Sequence, residues 1–357
     1  MAVRRFLRSA YAGQARQRGG IGRRSIVGRY RLCHAGSNPA TVTMPNTPMI
    51  RKIATRPIHF LDRQAKSMGY DMNRLSDEKR AKIIQCLVEG NSQRATARIV
   101  QVSRNTIARL LSKVGAKCDW YLFNAMTKLP CKRIEADEIW SFVGMKEKRV
   151  PRERKGQPGY GDAYTWIAFD PVSKLVPCYL VGRRDTVHAK EFMDDLSWRL
   201  SHRIQLTTDG HDPYISAVED AFGGKIDYAM QVKEYGEIRA YRDGTEKKCK
   251  ASECSNIVKR VISGNPDPKH ISTSMVERHN LTMRMSIRRF TRETNGFSKK
   301  LRNLKRAVAL YLLYYNFARI HKTLRVTPAM EAGLTKHIWT FEEIANLAPI
   351  QAQSATH

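Results

Sequence analysis

Residues 134–140 read Ile134-Glu135-Ala136-Asp137-Glu138-Ile139-Trp140, and the alternation continues to Val143 in the manner of a β-strand. An acid flanked by Ile134, Ile139 and Trp140 needs a reason to stand inside a strand, because a buried carboxylate is costly unless it is paired or holds a cation. Asp209 follows Leu206-Thr207-Thr208 and precedes Gly210. It is expected where a buried strand stops, with its carboxylate projecting over the sheet edge. Glu277 lies early on a helix expected over 274–290, one face of which brings round Leu281, Arg284 and Arg288. Taken singly, Asp137 reads as a strand-edge charge, Asp209 as a turn former and Glu277 as a solvated helix residue. Together they are three acids able to converge, and hard divalent ions take oxygen ligands of this kind. Two such ions about 4 Å apart can activate an attacking hydroxyl and stabilise the leaving oxygen of a phosphodiester.

Outward from these acids, apolar runs at 164–170, 175–181, 204–208 and 226–233 predict four more strands, and 190–202, 212–222 and 301–317 read as helices. Strands in succession followed by alternation with helices predict an α/β fold on a mixed five-stranded sheet with flanking helices. The Lys-rich piece 235–267, ending in Asn265-Pro266-Asp267-Pro268, is expected to be an insertion or flexible loop. Upstream, Ser76, Ser92 and Ser103 are placed as N-caps of three short helices. The first carries Ile83, Ile84, Leu87 and Val88 on one face, and the third carries Ile107, Leu110, Leu111 and Val114. A tight turn at Gly90 makes 72–115 a candidate all-α helix-turn-helix domain. Asn105, Arg109 and Ser112 on the third helix are then positioned to reach base edges or phosphates of double-stranded DNA; the plainer reading is a solvated helix face. Residues 116–131 read as a connecting helix and linker, 132–325 as the main domain and 326–357 as a C-terminal tail.

Composition agrees with a nucleic-acid partner. Among 357 residues, 63 Lys+Arg against 33 Asp+Glu leave a net charge of +30. No apolar stretch approaches the roughly 20 residues of a membrane span, so no membrane partner is expected. Seven cysteines without paired CxxC units point to reduced thiols and a cytoplasmic protein. Cys249, Cys254 and His270 fit no common zinc spacing. Residues 1–71 carry a net +12 and no acid before Asp62, and are expected to be a disordered basic extension. Their Gly36-Ser37-Asn38-Pro39 is what GGTTCGAATCC encodes, the T arm of a transfer RNA gene. The segment therefore reads as a start assigned too far upstream, with Met44, Met49 or Met72 the more natural beginning.

Four stretches together carry a family resemblance: DEIWSFV from Asp137, LTTDGHDPY from Leu206, HISTSMVERHNLTMRMSIRRFTR from His270 and YYNFARIHKTLRVTPAM from Tyr314. Over about 72–346 the chain resembles Asp-Asp-Glu transposases, most closely those of the insertion sequence one family. The resemblance implies a ribonuclease H-like fold and Mg²⁺-dependent (or Mn²⁺-dependent) strand cleavage and strand transfer, with two ions held by Asp137, Asp209 and Glu277. It also implies a homo-oligomer acting on terminal inverted repeats and target DNA, in a bacterial, nucleoid-associated setting. Asn280, one helical turn after Glu277, matches a further polar position and joins Arg284 and Arg288 as an expected DNA contact. His211 and His279, beside catalytic acids, are candidates to touch the scissile phosphate or to brace the backbone. Two departures stand out: Asp209 and Glu277 are 68 positions apart, longer than in many such enzymes, and there are no cysteine pairs for an N-terminal zinc finger. Rival readings are a regulator that keeps the fold without cutting and a general metal-dependent nuclease.

Overall fold

Three serines start the first three helices. Ser76, Ser92 and Ser103 each accept a hydrogen bond from the backbone N–H three residues on, at 3.3, 3.0 and 3.1 Å, which satisfies one of the donors a helix start leaves unpaired. They open α1 (Asp77–Val88), α2 (Gln93–Val100) and α3 (Arg104–Ala125). The structure is a computed structural model, and it describes residues 75–348 apart from 158, 237, 241–245, 249–253 and 293. The basic extension and its proposed start sites lie outside the described residues, as does Cys249.

One expected boundary falls inside a helix. α3 runs without interruption across position 115, so the connecting segment begins as the second half of the same helix. Gly115 does not break it. A Cβ there would lie 2.4 Å from the Arg306 carbonyl oxygen of α7 (Leu301–Leu313). The glycine therefore permits two helix backbones to touch. Leu111, Val114, Cys118 and Leu122 of α3 enter the same core as Val308, Leu312 and Phe317, and the described residues form one compact unit. Gly115→Ala tests this contact. Alanine is the better helix former by about 1 kcal/mol, but overlap with a backbone oxygen outweighs that gain, and a net loss of about 1–3 kcal/mol is expected in chemical denaturation. An unchanged or raised midpoint would mean that the helices are not so close.

The sheet has six strands where five are expected. β1 (Arg133–Val143), β2 (Gly161–Phe169) and β3 (Cys178–Gly182) form an antiparallel set, β4 (Gln205–Thr208) and β5 (Asp227–Tyr235) run parallel to β1, and the order is β3-β2-β1-β4-β5-β8. The sixth strand, β8 (Cys254–Ser263), pairs antiparallel with β5 and comes from the segment expected to be a flexible loop. Its Lys and Arg side chains mask the strand pattern because an edge strand leaves most of its residues facing water. A small hairpin, β6 (Ile238–Ala240) with β7 (Glu246–Lys248), lies between β5 and β8. α4 (Thr186–Arg199), α5 (Pro213–Phe222) and α6 (Ser274–Ser286) flank the sheet. α7 continues into a wider turn over Tyr314–Ala318. There the fully buried Asn316 amide closes two 3.0 Å hydrogen bonds with the Val176 backbone, fastening the approach to β3. The expected tail contains α8 (Pro328–Glu331) and α9 (Phe341–Asn346). α9 is joined to α1 by Arg80, which donates to Asn346 and to the Ala345 carbonyl. Among the described residues no helix is long and apolar enough to cross a membrane.

Candidate active site

A short strand makes room for the acids. β4 has four residues and its last pairing with β1 is Ala136↔Thr208, whereas β1 continues for seven residues beyond that point and β5 for five beyond Met230↔Thr208. Where the chain turns away at Asp209, a slot opens between the prolonged β1 and β5. Asp137 and Glu138 border the slot on β1, and Asp209 stands at its base. Carboxylate oxygens of these three residues all lie within 4.8 Å of one another.

α6 lies at the mouth of this slot, with its start tied to both walls. Glu135 on β1 accepts from the backbone N–H of Met275 and of Val276, each at 2.9 Å, so a buried carboxylate supplies two of the acceptors that the helix start lacks. Gln231 on β5 accepts from the Thr273 N–H at 3.2 Å. Thus fixed, the first turn of α6 presents Glu277, whose Oε1 accepts from Lys233 Nζ at 2.6 Å and Thr273 Oγ1 at 2.7 Å. One turn later Asn280 donates from Nδ2 to Asp137 Oδ2 at 2.8 Å. Asn280 is therefore a buried positioning residue for Asp137, in place of the DNA contact expected of it.

Of the three expected acids, the structure brings Asp137 and Asp209 together and sets Glu277 beside them on Lys233. Glu277 is close enough for its charge to push the Asp137 carboxyl up, after burial and Asp209, which have the larger effects. The third member of the tight cluster is Glu138, which the sequence reading passed over. Its Oε2 accepts from Arg184 Nε at 2.9 Å, and Arg184 Nη2 reaches Asp209 Oδ2 at 3.0 Å. Glu138 Oε1 is buried, and the buried Tyr214 hydroxyl lies against the same carboxylate. Burial, then Asp209, push its carboxyl up to about 7. The signal available in the sequence was a second acid directly after the first inside an apolar run, together with Arg183-Arg184 just past the end of β3.

The donor set fits a hard divalent cation. It is made only of carboxylate oxygens, and it is gathered within the reach of one ion. Asp137, Asp209 and Glu138 would hold such an ion, with Glu277 alongside.

The other candidates separate. Arg284 is half-buried and lies within the field of Asp137, whereas Arg288, past the end of α6, lines a different cleft together with Ser112 of α3. Asn105 and Arg109 are exposed on the neighbouring face of α3. The His211 backbone N–H donates to Asp209 Oδ1 at 3.1 Å, and its ring lies between Trp166 and Tyr214. It braces the turn. His279 is a core residue, packed against Phe169 and Tyr315, and burial pushes its imidazole down to about 3. It therefore stays neutral and does not face the acids.

Glu135 gives a pH test. Its carboxyl is pushed up to about 7 by burial, against the opposing pull of the Val276 and Met275 N–H groups. A group raised in the folded state contributes stability that is complete below its unfolded value and lost as pH rises through the folded one. Glu135→Gln keeps an acceptor for α6 and does not titrate. Relative to the unsubstituted chain it should therefore gain up to about 3 kcal/mol between pH 5 and pH 8, read from denaturation midpoints. A pH-independent difference would show that Glu135 is not held in this way.

No protein-family model and no curated protein sequence matches the chain. Among solved structures, a piggyBac transposase synaptic complex with hairpin DNA aligns over 80% of this chain and 73% of its own, at 14% identity and a TM-score of 0.38. A Mos1 transposase paired-end complex with left transposon end aligns over 46% of this chain at 14% identity and a TM-score of 0.20. The mariner Mos1 paired-end complex with Mg aligns over 45% at 16% identity and a TM-score of 0.18. The chain spans 60% of the length of these Mos1 chains.

Proposed function

We propose that this protein is a DNA transposase that cuts strands at the ends of an insertion sequence and joins the freed 3′ ends to target DNA. The observation that carries the reading is the slot beyond β4, where Asp137, Glu138 and Asp209 converge from two strands under a helix that presents Glu277. An antiparallel β1–β2–β3 set followed by parallel β4 and β5 is consistent with the ribonuclease H-like architecture implied by the family resemblance. A net charge of +30 supports a polyanionic substrate, and Asn105 and Arg109 on the exposed face of α3 are the base-reading candidates of a helix-turn-helix.

Bound Mg²⁺ or Mn²⁺, two ions in this reading, supplies positive charge for the phosphodiester in flight and lowers the pKa of the attacking hydroxyl. The protein does the rest. Asn280 sets the Asp137 carboxylate, Glu135 and Gln231 fix the start of α6, and Arg184 provides a cation at the edge of the slot for a phosphate oxygen. In the nicking step a water oxygen attacks phosphorus, its proton passes to solvent, and the bond to the 3′-oxygen breaks to leave a free 3′-hydroxyl. In the joining step that hydroxyl attacks a phosphorus of the target strand and gives its proton to solvent, while the bond from that phosphorus to the target's own 3′-oxygen breaks and that oxygen takes up a proton. No covalent enzyme intermediate is required. The protein acts on double-stranded DNA as a homo-oligomer in the bacterial cytoplasm, in association with the nucleoid.

The test is cleavage by the purified full-length chain, with Mg²⁺ or Mn²⁺, of labelled duplexes ending in the element's inverted repeat or in a scrambled repeat. Cutting confined to the true end supports the proposal. Binding without cutting would make the protein a regulator, and equal cutting of both duplexes would make it a general nuclease.

A further inference from the structure

A second charged feature lies away from the acids. A cleft of about 530 Å³ separates the N-terminal halves of α2 and α3 from the segment that joins α6 to α7 and from the α7 face beyond it. Arg94 and Arg104 line one wall, and Arg288, Arg289, Lys299 and Arg306 line the other. Among the described residues no carboxylate lines it. Arg306 is paired with Asp119 at 2.7 Å; none of the other five forms an ion pair among the described residues. Arg289 is the most enclosed, donating to Ser298 Oγ at 2.8 Å, and burial without a counter-charge pushes its guanidinium down to about 10. These five cations, Lys299 resting on the Phe297 ring, have no carboxylate partner among the described residues; facing one space they repel one another, and an anion bound there would relieve that repulsion.

The size and remaining lining narrow the choice of anion. The volume is in the range, about 300–1,000 Å³, that takes one nucleotide-sized group, far too small for a turn of duplex. Its polar side chains outside the cations include the amides of Asn295 and Asn303, donors and acceptors suited to a base edge. Phe297 also lines the cleft, half-buried against Phe142 at 4.6 Å between ring centroids and with Lys299 Nζ 3.9 Å from its own centroid; Lys299 is exposed, so a phosphate can draw its ammonium off the ring and leave a braced face for a base. Cations for the backbone, amides for base edges and an aromatic ring for stacking are the equipment for an unpaired strand. The cleft also has a fixed relation to the acids. From Glu277 to Ser286 α6 advances about 14 Å at 1.5 Å per residue, and Arg288 and Arg289 follow directly.

We propose that this cleft seats an unpaired segment of DNA strand, backbone on the arginines and one base against Phe297, while the flanking duplex is engaged elsewhere. The proposal rests on the transposase reading only in supposing that the strand comes from an element end. The cleft would hold single-stranded DNA whether or not the acids cut.

The experiment uses the full-length chain and fluorescently labelled single-stranded and duplex DNA of the same sequence, titrated over a range of salt. Arg104 and Lys299 are both exposed, so Arg104→Gln with Lys299→Gln leaves the core untouched, as a thermal melt will verify. Lys322→Gln with Lys336→Gln, also exposed and outside the cleft, controls for the loss of two charges. The cleft variant should bind the single strand at least tenfold more weakly, with a salt slope shallower by about 1.4, the value for two lost phosphate contacts on a single strand. Its duplex affinity should match that of the control variant. Equal loss on both DNAs, or single-strand affinity no different from the control, would overturn the proposal. Phe297→Leu, with every charge kept, should also weaken single-strand binding severalfold, and no change would remove the stacking role and with it the seated base. If the cleft variant loses single-strand binding while the unsubstituted chain cuts no DNA, the transposase reading fails and the cleft stands. If the chain cuts element ends yet the cleft variant is unaffected, the reverse holds.

Discussion

Asp209→Asn, and likewise Asp137→Asn, should reduce strand cleavage and joining by about three orders of magnitude or more while affinity for DNA ends stays within about twofold. Each amide keeps the shape of the side chain and removes the negative charge, and a divalent cation depends on that charge. Three orders of magnitude correspond to roughly 4 kcal/mol of transition-state stabilisation, well within what an oxygen-ligand site contributes. DNA binding draws on the basic surface, so gel-shift affinity should survive. Asp209→Asn also weakens the 3.0 Å contact to Arg184, but that pair is about one-third exposed on both sides and contributes little to folding. A variant that cut at the unsubstituted rate would remove the residue from the site.

The second large effect concerns the third acid, for which the family resemblance names Glu277 and the tight cluster contains Glu138. Glu277→Gln should abolish turnover at every metal concentration, because Glu277 is the acid that α6 is tied to both walls to present. Glu138→Gln should instead raise the Mg²⁺ or Mn²⁺ concentration needed for half-maximal cleavage by about 10- to 100-fold, with activity recovered at high metal. Metal titration of the cleavage rate separates the two. Recovery of Glu277→Gln by metal together with irreversible loss in Glu138→Gln would exchange their roles.

Much of the arrangement can be read from single residues. The serines at 76, 92 and 103 announce helix starts because a short hydroxyl side chain competes for backbone N–H groups wherever a helix begins. Asp137 is conspicuous because Ile134, Ile139 and Trp140 flank it and Asp209 because it ends a buried strand, and although each has a plain reading alone, the two together point to one site. Glu138 escapes the same logic. Adjacent strand residues point to opposite faces, so an acid beside a catalytic acid reads as the outward partner, and only the shortness of β4 leaves room for both to gather. β8 is hidden for another reason, since Lys259 and Arg260 interrupt its apolar residues, Ile257 and Val261 stay exposed, and its pairing with β5 joins residues remote in sequence. Gly115 misleads because glycine marks both helix breaks and close backbone approach, and nothing local distinguishes the two.

The contact at Gly115 bears on how recognition by such a chain can be altered. The exposed first turns of α3 and its buried second half are one rod, seated on α7 through a glycine that admits no side chain. A specificity cassette cut at position 115 and exchanged between relatives would carry half of a buried joint into a foreign partner. On the reading of Asn105 and Arg109 proposed above, retargeting would proceed by single replacements at those two positions on the open face, or by moving α3 and α7 together as an inseparable pair.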